Sequence, residues 1–232
     1  MIDHPQASAV PAPPGSPDVG VAWHYGDPLG EQRRLVAGVG AVDLSHLGVV
    51  AITGSDRLTW LHSLLSQDVA ELPAGDSTTA LVLDPHGHVE HELHLIDDGT
   101  TCWVITEPAS RESLLTYLDR MRFRSDVQVS DVSAEQAVLW FPHGDPVGDR
   151  PRWQVPPEFA GTGRTPSGID KGGVAGKYVD RLPGVLVGEQ VIVARSELAD
   201  VLAAAAPLAG TWALTALRVA AGIPPAGCET AH

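Results

Sequence analysis

Basic residues are scarce in this 232-residue chain: 15 Lys and Arg stand against 29 Asp and Glu, a formal net charge of −14. A surface of that sign repels nucleic-acid phosphates and anionic lipid headgroups, which argues against direct nucleic-acid binding and electrostatic membrane attachment. Cysteine is nearly absent, with only Cys102 and Cys228. Two such residues build no disulfide framework, and a reducing, cytoplasmic setting suits them. No stretch reaches the roughly 20 consecutive apolar residues of a membrane-spanning helix, and the Ala-rich run at 202–206 stops at Pro207. Residues 1–20 lack the basic cluster and apolar run of a secretory signal; their Pro, Ala and Ser content predicts a disordered tail.

The familiar catalytic arrangements are also missing. There is no Gly-x-Ser-x-Gly elbow, and neither His46 nor His62 has a nucleophile and an orienting carboxylate at a recognisable spacing, so a hydrolase triad is unsupported. The glycine-rich piece Gly172, Gly173, Val174, Ala175, Gly176, Lys177 is one residue short of a phosphate loop. Tyr178 stands where a magnesium-binding Ser or Thr is needed, and a nucleotide site is rejected.

What is present is a hydrophobic content of 44%, enough for a real core, in an order of segments that predicts an α+β fold. Asp27 and Pro28 open a short helix carrying Leu35, Val36 and Val39. A strand at 47–53 precedes a second helix, capped by Ser55 or Asp56, with Leu58, Leu61, Leu64, Leu65 and Val69 on its face. Strands at 78–84 and 88–96, joined by Asp84, Pro85, His86 and Gly87, then a strand at 101–106, predict a three-stranded antiparallel unit. Pro108 opens a helix bearing Leu114, Leu115, Leu118 and Met121, followed by strands at 127–129 and 137–141. Mixed or antiparallel sheets with helices on one side are expected.

The domain reading is a tail at 1–20, a first domain at 21–142, a Gly- and Pro-rich linker or excursion at 143–184, and part of a second α+β domain at 185–232. In the last part a strand at 185–194 is followed by a helix capped by Ser196 and another capped by Thr211.

Two clusters invite chemistry. Alternation along 88–96 puts His88, Glu90, Glu92 and His94 on one face and Val89, His91, Leu93 and Leu95 on the other. Side chains two apart on a strand sit roughly 7 Å from one another, too far to close a compact tetrahedral shell, so no metal is expected. Arg120, Arg122 and Arg124 either complement the C-terminus of their helix or form an anion site.

Asp43, Leu44, Ser45, His46, Leu47, Gly48 and the helix from Asp56 through Ser66, Gln67, Asp68 and Val69 resemble the N-terminal domain of the glycine-cleavage aminomethyltransferases. Gly87, His88, Val89, Glu90, His91 and the later Met121, Arg122, Phe123, Arg124, Ser125 resemble the folate-binding YgfZ branch, in an actinobacterial flavour. The segment 216–224, with Gly227 and Glu229, is similar to a helix and turn shared by both branches. The resemblance implies a tripartite fold around a central folate channel, of which this chain holds two parts and lacks the closing C-terminal barrel. It implies tetrahydrofolate or a derivative as ligand, with Arg218, Glu92, His91 and Glu229 as its binding residues. The implied role is support of iron–sulfur cluster assembly or repair, including that of tRNA-modifying enzymes, with iron–sulfur assembly proteins as partners.

Two departures bear on that expectation. Where aminomethyltransferases carry an acidic pair that includes the catalytic aspartate, this chain has His91 and Glu92. The motif Lys-Gly-Cys-Tyr-x-Gly-Gln-Glu of the YgfZ branch belongs downstream of the Arg218 helix, and the sequence stops first. Two alternatives stay open: an aminomethyltransferase using Glu92 as its catalytic carboxylate, and a structural or partner-binding domain without ligand.

Overall fold

The computed structural model describes residues 9–142, 148–154 and 188–223. Its elements run β1 (Val10–Pro11), β2 (Ala22–His24), α1 (Pro28–Val36), β3 (Ala41–Asp43), β4 (Gly48–Thr53), α2 (Arg57–His62), β5 (Ser77–Leu83), β6 (Val89–Asp97) and β7 (Thr101–Thr106). A 3₁₀ turn at Pro108–Ser110 leads into α3 (Arg111–Arg120), then β8 (Gln128–Asp131), β9 (Gln136–Phe141), β10 (Arg152–Gln154), β11 (Glu189–Ala194), α4 (Leu198–Ala204), β12 (Leu208–Ala209) and α5 (Thr211–Ala220).

Two five-stranded sheets organise these elements. The first has the order β5-β6-β7-β4-β8 and is antiparallel throughout; the second has the order β10-β11-β9-β3-β12, with only β12 and β3 parallel. Val49, Ile96 and Ile105 of the first sheet share one core with Val42, Val138, Trp140 and Ile192 of the second, so the sheets face each other. On its outer face the first sheet packs Val50, Ile52, Leu93, Leu95 and Val104 against Trp60 and Leu61 of α2 and Leu114 and Leu118 of α3. The outer face of the second packs Leu139, Val191 and Val193 against Leu198 and Leu202 of α4. The outer face of each sheet is thus covered by helices, while Leu35 of α1 and Leu214 and Leu217 of α5 enter the core between the sheets; strands buried on both faces are apolar in continuous runs, as in Val49, Val50 and Ile52.

The expected three-stranded unit at 78–106 is present, β5 pairing with β6 and β6 with β7, both antiparallel. Its first turn follows from local chemistry: Asp84 accepts hydrogen bonds from the N–H groups of His86 and His88, and Gly87 takes a φ of 87° that other residues avoid.

Other expectations need correction. The second helix ends at His62, not near Val69. Ser63 turns its hydroxyl back to the Trp60 carbonyl, and Ser66 then exchanges hydrogen bonds with Leu81 on β5, which draws the chain out of the helix. Asp56 stands at the N-cap of α2 as expected, but its carboxylate accepts from the N–H of Asp126 and makes no side-chain capping bond. Gly210, not Thr211, is the cap residue of α5, and Glu197, not Ser196, that of α4. Residues 9–20, read as part of a disordered tail, are held: β1 pairs with β2, and Asp18 reaches His46. Within the stretch read as a linker, Arg152–Gln154 forms an edge strand on β11. The glycine-rich piece 172–177, Cys228 and Glu229 lie outside the described residues.

Candidate functional site

The alternation of β6 sends Ile96 toward the second sheet and Leu93 and Leu95 toward α2 and α3. Glu92 and His94 share the parity of Ile96 and so project into the space between the sheets, while His91 follows Leu93 to the helix-covered side. His91 is buried there with no partner for Nδ1, and burial lowers its pKa against a weak opposing pull from Glu90. His88 pairs with Asp84 at 2.9 Å in the exposed turn, and Glu90 is exposed.

Glu92 Oε1 lies 3.6 Å from His94 Nε2. His94 holds the Glu92 carboxyl below its usual range; burial opposes this, and the positive charge of Arg218 adds to it. Arg218 comes from α5, whose Leu214 and Leu217 are buried in the core between the sheets, leaving the guanidinium half-buried at the margin. Its charge also acts on Asp18 and Glu107. Glu107, directly after β7, is raised by burial, against the pull of Arg218, His46 and His94. Burial also works against ionised Asp18, but His46, with Thr211 and the charge of Arg218 adding to it, brings its carboxyl below the usual range.

The result is a half-buried cluster from five places in the chain: Asp18, His46, Glu92 with His94, Glu107, and Arg218. Two of its carboxyls are driven apart, Glu92 toward the ionised form and Glu107 toward the protonated one, the pattern that separates acceptor from donor roles in one site. At its edge three buried polar atoms have no hydrogen-bond partner: His46 Nδ1, Thr106 Oγ1 and Thr211 Oγ1. Thr106 belongs here because it pairs across the sheet with Gly48, two residues after His46. Orphaned buried polar groups are rare in folded proteins, and a set of three beside a charged cluster suits a polar ligand. Among the described residues no group of three or more His, Cys, Asp or Glu side chains is placed to hold a metal ion.

Of the residues named from sequence, Arg218 and Glu92 are brought together, and His91 points the other way. Arg120 ends α3 and Arg122 and Arg124 follow it, on the far side of the first sheet, where Arg122 pairs with Asp119 at 3.8 Å. Asp18 and Glu107 were missed. Asp18 sits in a stretch with the composition of a tail, but Glu107 had a readable signal, a carboxylate between the end of an apolar strand and the proline opening a helix.

Residues 23–141 match the family described as the GCVT N-terminal domain. The aminomethyltransferase of Chromobacterium violaceum is 30% identical over 105 residues, 45% of this chain and 29% of that protein. That of Rubrobacter xylanophilus is 31% identical over 109 residues, 47% of this chain and 29% of that protein. The matched region thus spans about three-tenths of these curated relatives. The crystal structure of the glycine cleavage system aminomethyltransferase T from Bartonella henselae superposes with a TM-score of 0.68 at 16% identity, covering 94% of this chain and 60% of that one, which shows a common fold. No helix among the described residues is long and apolar enough to cross a membrane. With the family match extending over residues 23–141, about half of the chain, this protein belongs to the GCVT N-terminal domain family.

Proposed function

We propose that this chain binds a reduced folate in the space between its two sheets. The observation that carries the reading is the convergence of Arg218, Glu92 and Glu107 beside the unpartnered buried atoms of His46, Thr106 and Thr211. The donor set fits such a ligand. A pterin presents N–H and amino groups, which a carboxylate accepts, and a carbonyl, to which a protonated carboxyl donates; its glutamate tail presents carboxylates, which a guanidinium binds. Glu92 and Glu107 would hold the pterin edge and Arg218 the anionic end, with Glu229 a further proposed contact. His91, facing the helices, is withdrawn from the proposal. A reduced folate carries one-carbon units on N5 and N10; the protein supplies orientation and charge.

An accessory role is favoured over aminomethyl transfer. In place of the acidic pair this chain has one carboxylate, Glu92, and a histidine turned to the opposite face of β6. The competing reading uses Glu92 as the catalytic carboxylate. Its side chain is one methylene longer than aspartate, and a misplacement of about 1 Å costs on the order of a hundredfold in rate. Following the YgfZ resemblance, we extend the proposal to support of iron–sulfur cluster assembly or repair, with proteins of that machinery as partners.

Calorimetric titration with 5-formyltetrahydrofolate tests the binding reading: a saturable single site is expected, and no binding would overturn it. A methylene-transfer assay separates accessory protein from enzyme, since the accessory reading expects no turnover. For the iron–sulfur role, deleting the gene should depress an iron–sulfur tRNA-modifying enzyme, and the parent protein, but not its Arg218→Ala variant, should restore it.

A further inference from the structure

We propose that His94 is a positioning residue for Glu92, held by a two-residue cradle on the opposite sheet, Trp153 and Gln190; the functional consequence rests on the folate reading of this site. Trp153 and Gln190 are register partners in the β10/β11 ladder, so their side chains leave the ladder on one face. The Trp153 indole stacks on the His94 imidazole with centroids 3.7 Å apart and planes 3° from parallel. Gln190 Oε1 lies 2.8 Å from His94 Nδ1.

The stack fixes the plane of the imidazole, and the amide fixes its rotation within that plane. With both set, Nε2 has one direction left, toward Glu92 Oε1 at 3.6 Å. That separation is too long for a hydrogen bond and short enough for charge to act. Whichever way the Gln190 amide is turned, a proton on Nε2 is the arrangement that suits a facing carboxylate.

The cradle is itself anchored. Trp153 Nε1–H donates to the Thr78 carbonyl at 3.1 Å, and the Gln154 N–H donates to Ser77 Oγ at 3.1 Å, tying β10 to β5 of the first sheet. Trp153 is buried in the core between the sheets. Glu92 is thereby bracketed by His94 along its own strand and by Arg218 from α5. A flexible glutamate directed by a fixed imidazole and a neighbouring guanidinium loses less freedom on meeting a ligand. The contact differs from a packing role because replacing the ring nitrogens while keeping the ring should remove it.

The test uses the full chain and two readouts. Without ligand, the ¹⁵N-edited spectrum of the histidine rings is recorded for the parent and Glu92→Gln. The His94 Nε2 signal is expected to move, and an unmoved signal would overturn the proposal. With 5-formyltetrahydrofolate, His94→Phe preserves the stack and, in the folded protein, is expected to weaken binding about tenfold, the effect of one lost charge-assisted contact. His94→Gln restores an N–H and should recover most of the loss. Parent-like affinity in His94→Phe would also overturn the proposal. If His94→Phe fails to fold, Gln190→Leu, which frees the ring to rotate, takes its place with the same expected loss. Absence of folate binding by the parent overturns the functional reading, and the ring signal still decides the His94–Glu92 contact.

Discussion

The Glu31 carboxylate is fully buried and accepts the backbone N–H of Gly210, 179 positions away in sequence, at 2.9 Å. Its other oxygen accepts from the N–H groups of Tyr25 at 2.7 Å and Asp27 at 3.3 Å. One side chain on α1 thus ties the N-terminal segment to the start of the helix that carries Arg218. Gly210 is required at its position, since a Cβ there would lie 2.1 Å from the Trp23 carbonyl oxygen. Glu31→Gln turns one oxygen into a donor facing another donor. It should destabilise the protein by roughly 1.5–3 kcal/mol, the range for a hydrogen bond to a charged group, as read by urea unfolding.

The fork between Arg57 and Asp97 makes a second stability prediction. Arg57 Nε and one terminal nitrogen donate to the two carboxylate oxygens at 2.8 and 2.9 Å, and Asp97 is 1% exposed. Arg57→Ala leaves that carboxylate buried and unpaired, a change that costs about 3–5 kcal/mol. Arg57→Leu combined with Asp97→Asn should cost less than the two single changes added together. A double-mutant cycle by chemical denaturation measures the difference, and simple additivity would refute the coupling.

The elements of the first sheet were legible because alternation, turn residues and strand length agreed, as in Asp84 to Gly87 between β5 and β6. The end of α2 was not. Leu64, Leu65 and Val69 keep helical spacing and pack in the same core as α2, but Ser66 pairs with β5, and tertiary contact overrode the pattern. The candidate site was readable only where one element carried it. Glu92 and His94 declare a shared face through strand parity, and Arg218 through its place on an amphipathic helix. Glu31 carries no local signal of its role, because its partner lies at the far end of the chain. Trp153 and Gln190 belong to a ladder whose strands are separated by a long Gly- and Pro-rich stretch, so their approach to His94 left no local signature.

Glu107 predicts a pH dependence. Its folded-state pKa lies above the ordinary carboxyl value because burial penalises the anion. Below the unfolded value of about 4.3 the group is protonated in both states and nothing is lost. As pH rises through that value and then through the raised folded one, stability is lost, fully so above both. Glu107→Gln removes the ionisation and should gain stability over the parent at pH 7, with the gain vanishing near pH 4. Urea unfolding of both proteins at the two pH values checks it, and an equal offset at both would contradict the assignment.

Cys102 sits fully buried on β7, and burial, with the negative charge of Asp97 adding to it, pushes its thiol up to about 12. Thiolate is the reactive form, so the folded protein should protect it. In a Cys228→Ser background, an aromatic disulfide reagent at pH 8 should find no reactive thiol in native buffer and one in denaturant. Rapid native labelling would show that β7 opens at low cost.

Arg218 carries the sharpest prediction for function, and its two candidate roles give different results. As a ligand anchor it contributes a charge-assisted, two-pronged contact to a folate carboxylate, worth about 1.5–3 kcal/mol, so Arg218→Ala should weaken binding of 5-formyltetrahydrofolate at least tenfold. Arg218→Lys keeps the charge but not the fork and should recover only part of the loss. As a structural neutraliser, Arg218 offsets the negative charge of Asp18, Glu92 and Glu107. Removing it then raises all three carboxyls and destabilises the fold more at pH 7, where Asp18 and Glu92 are ionised, than near pH 4, where protonation relieves their repulsion. Lysine at this position should restore that stability almost completely, because neutralisation requires charge and not planarity. A variant set in which Arg218→Lys regains stability but not affinity places the guanidinium on the ligand. Full recovery of affinity by lysine would leave only its charge in the role.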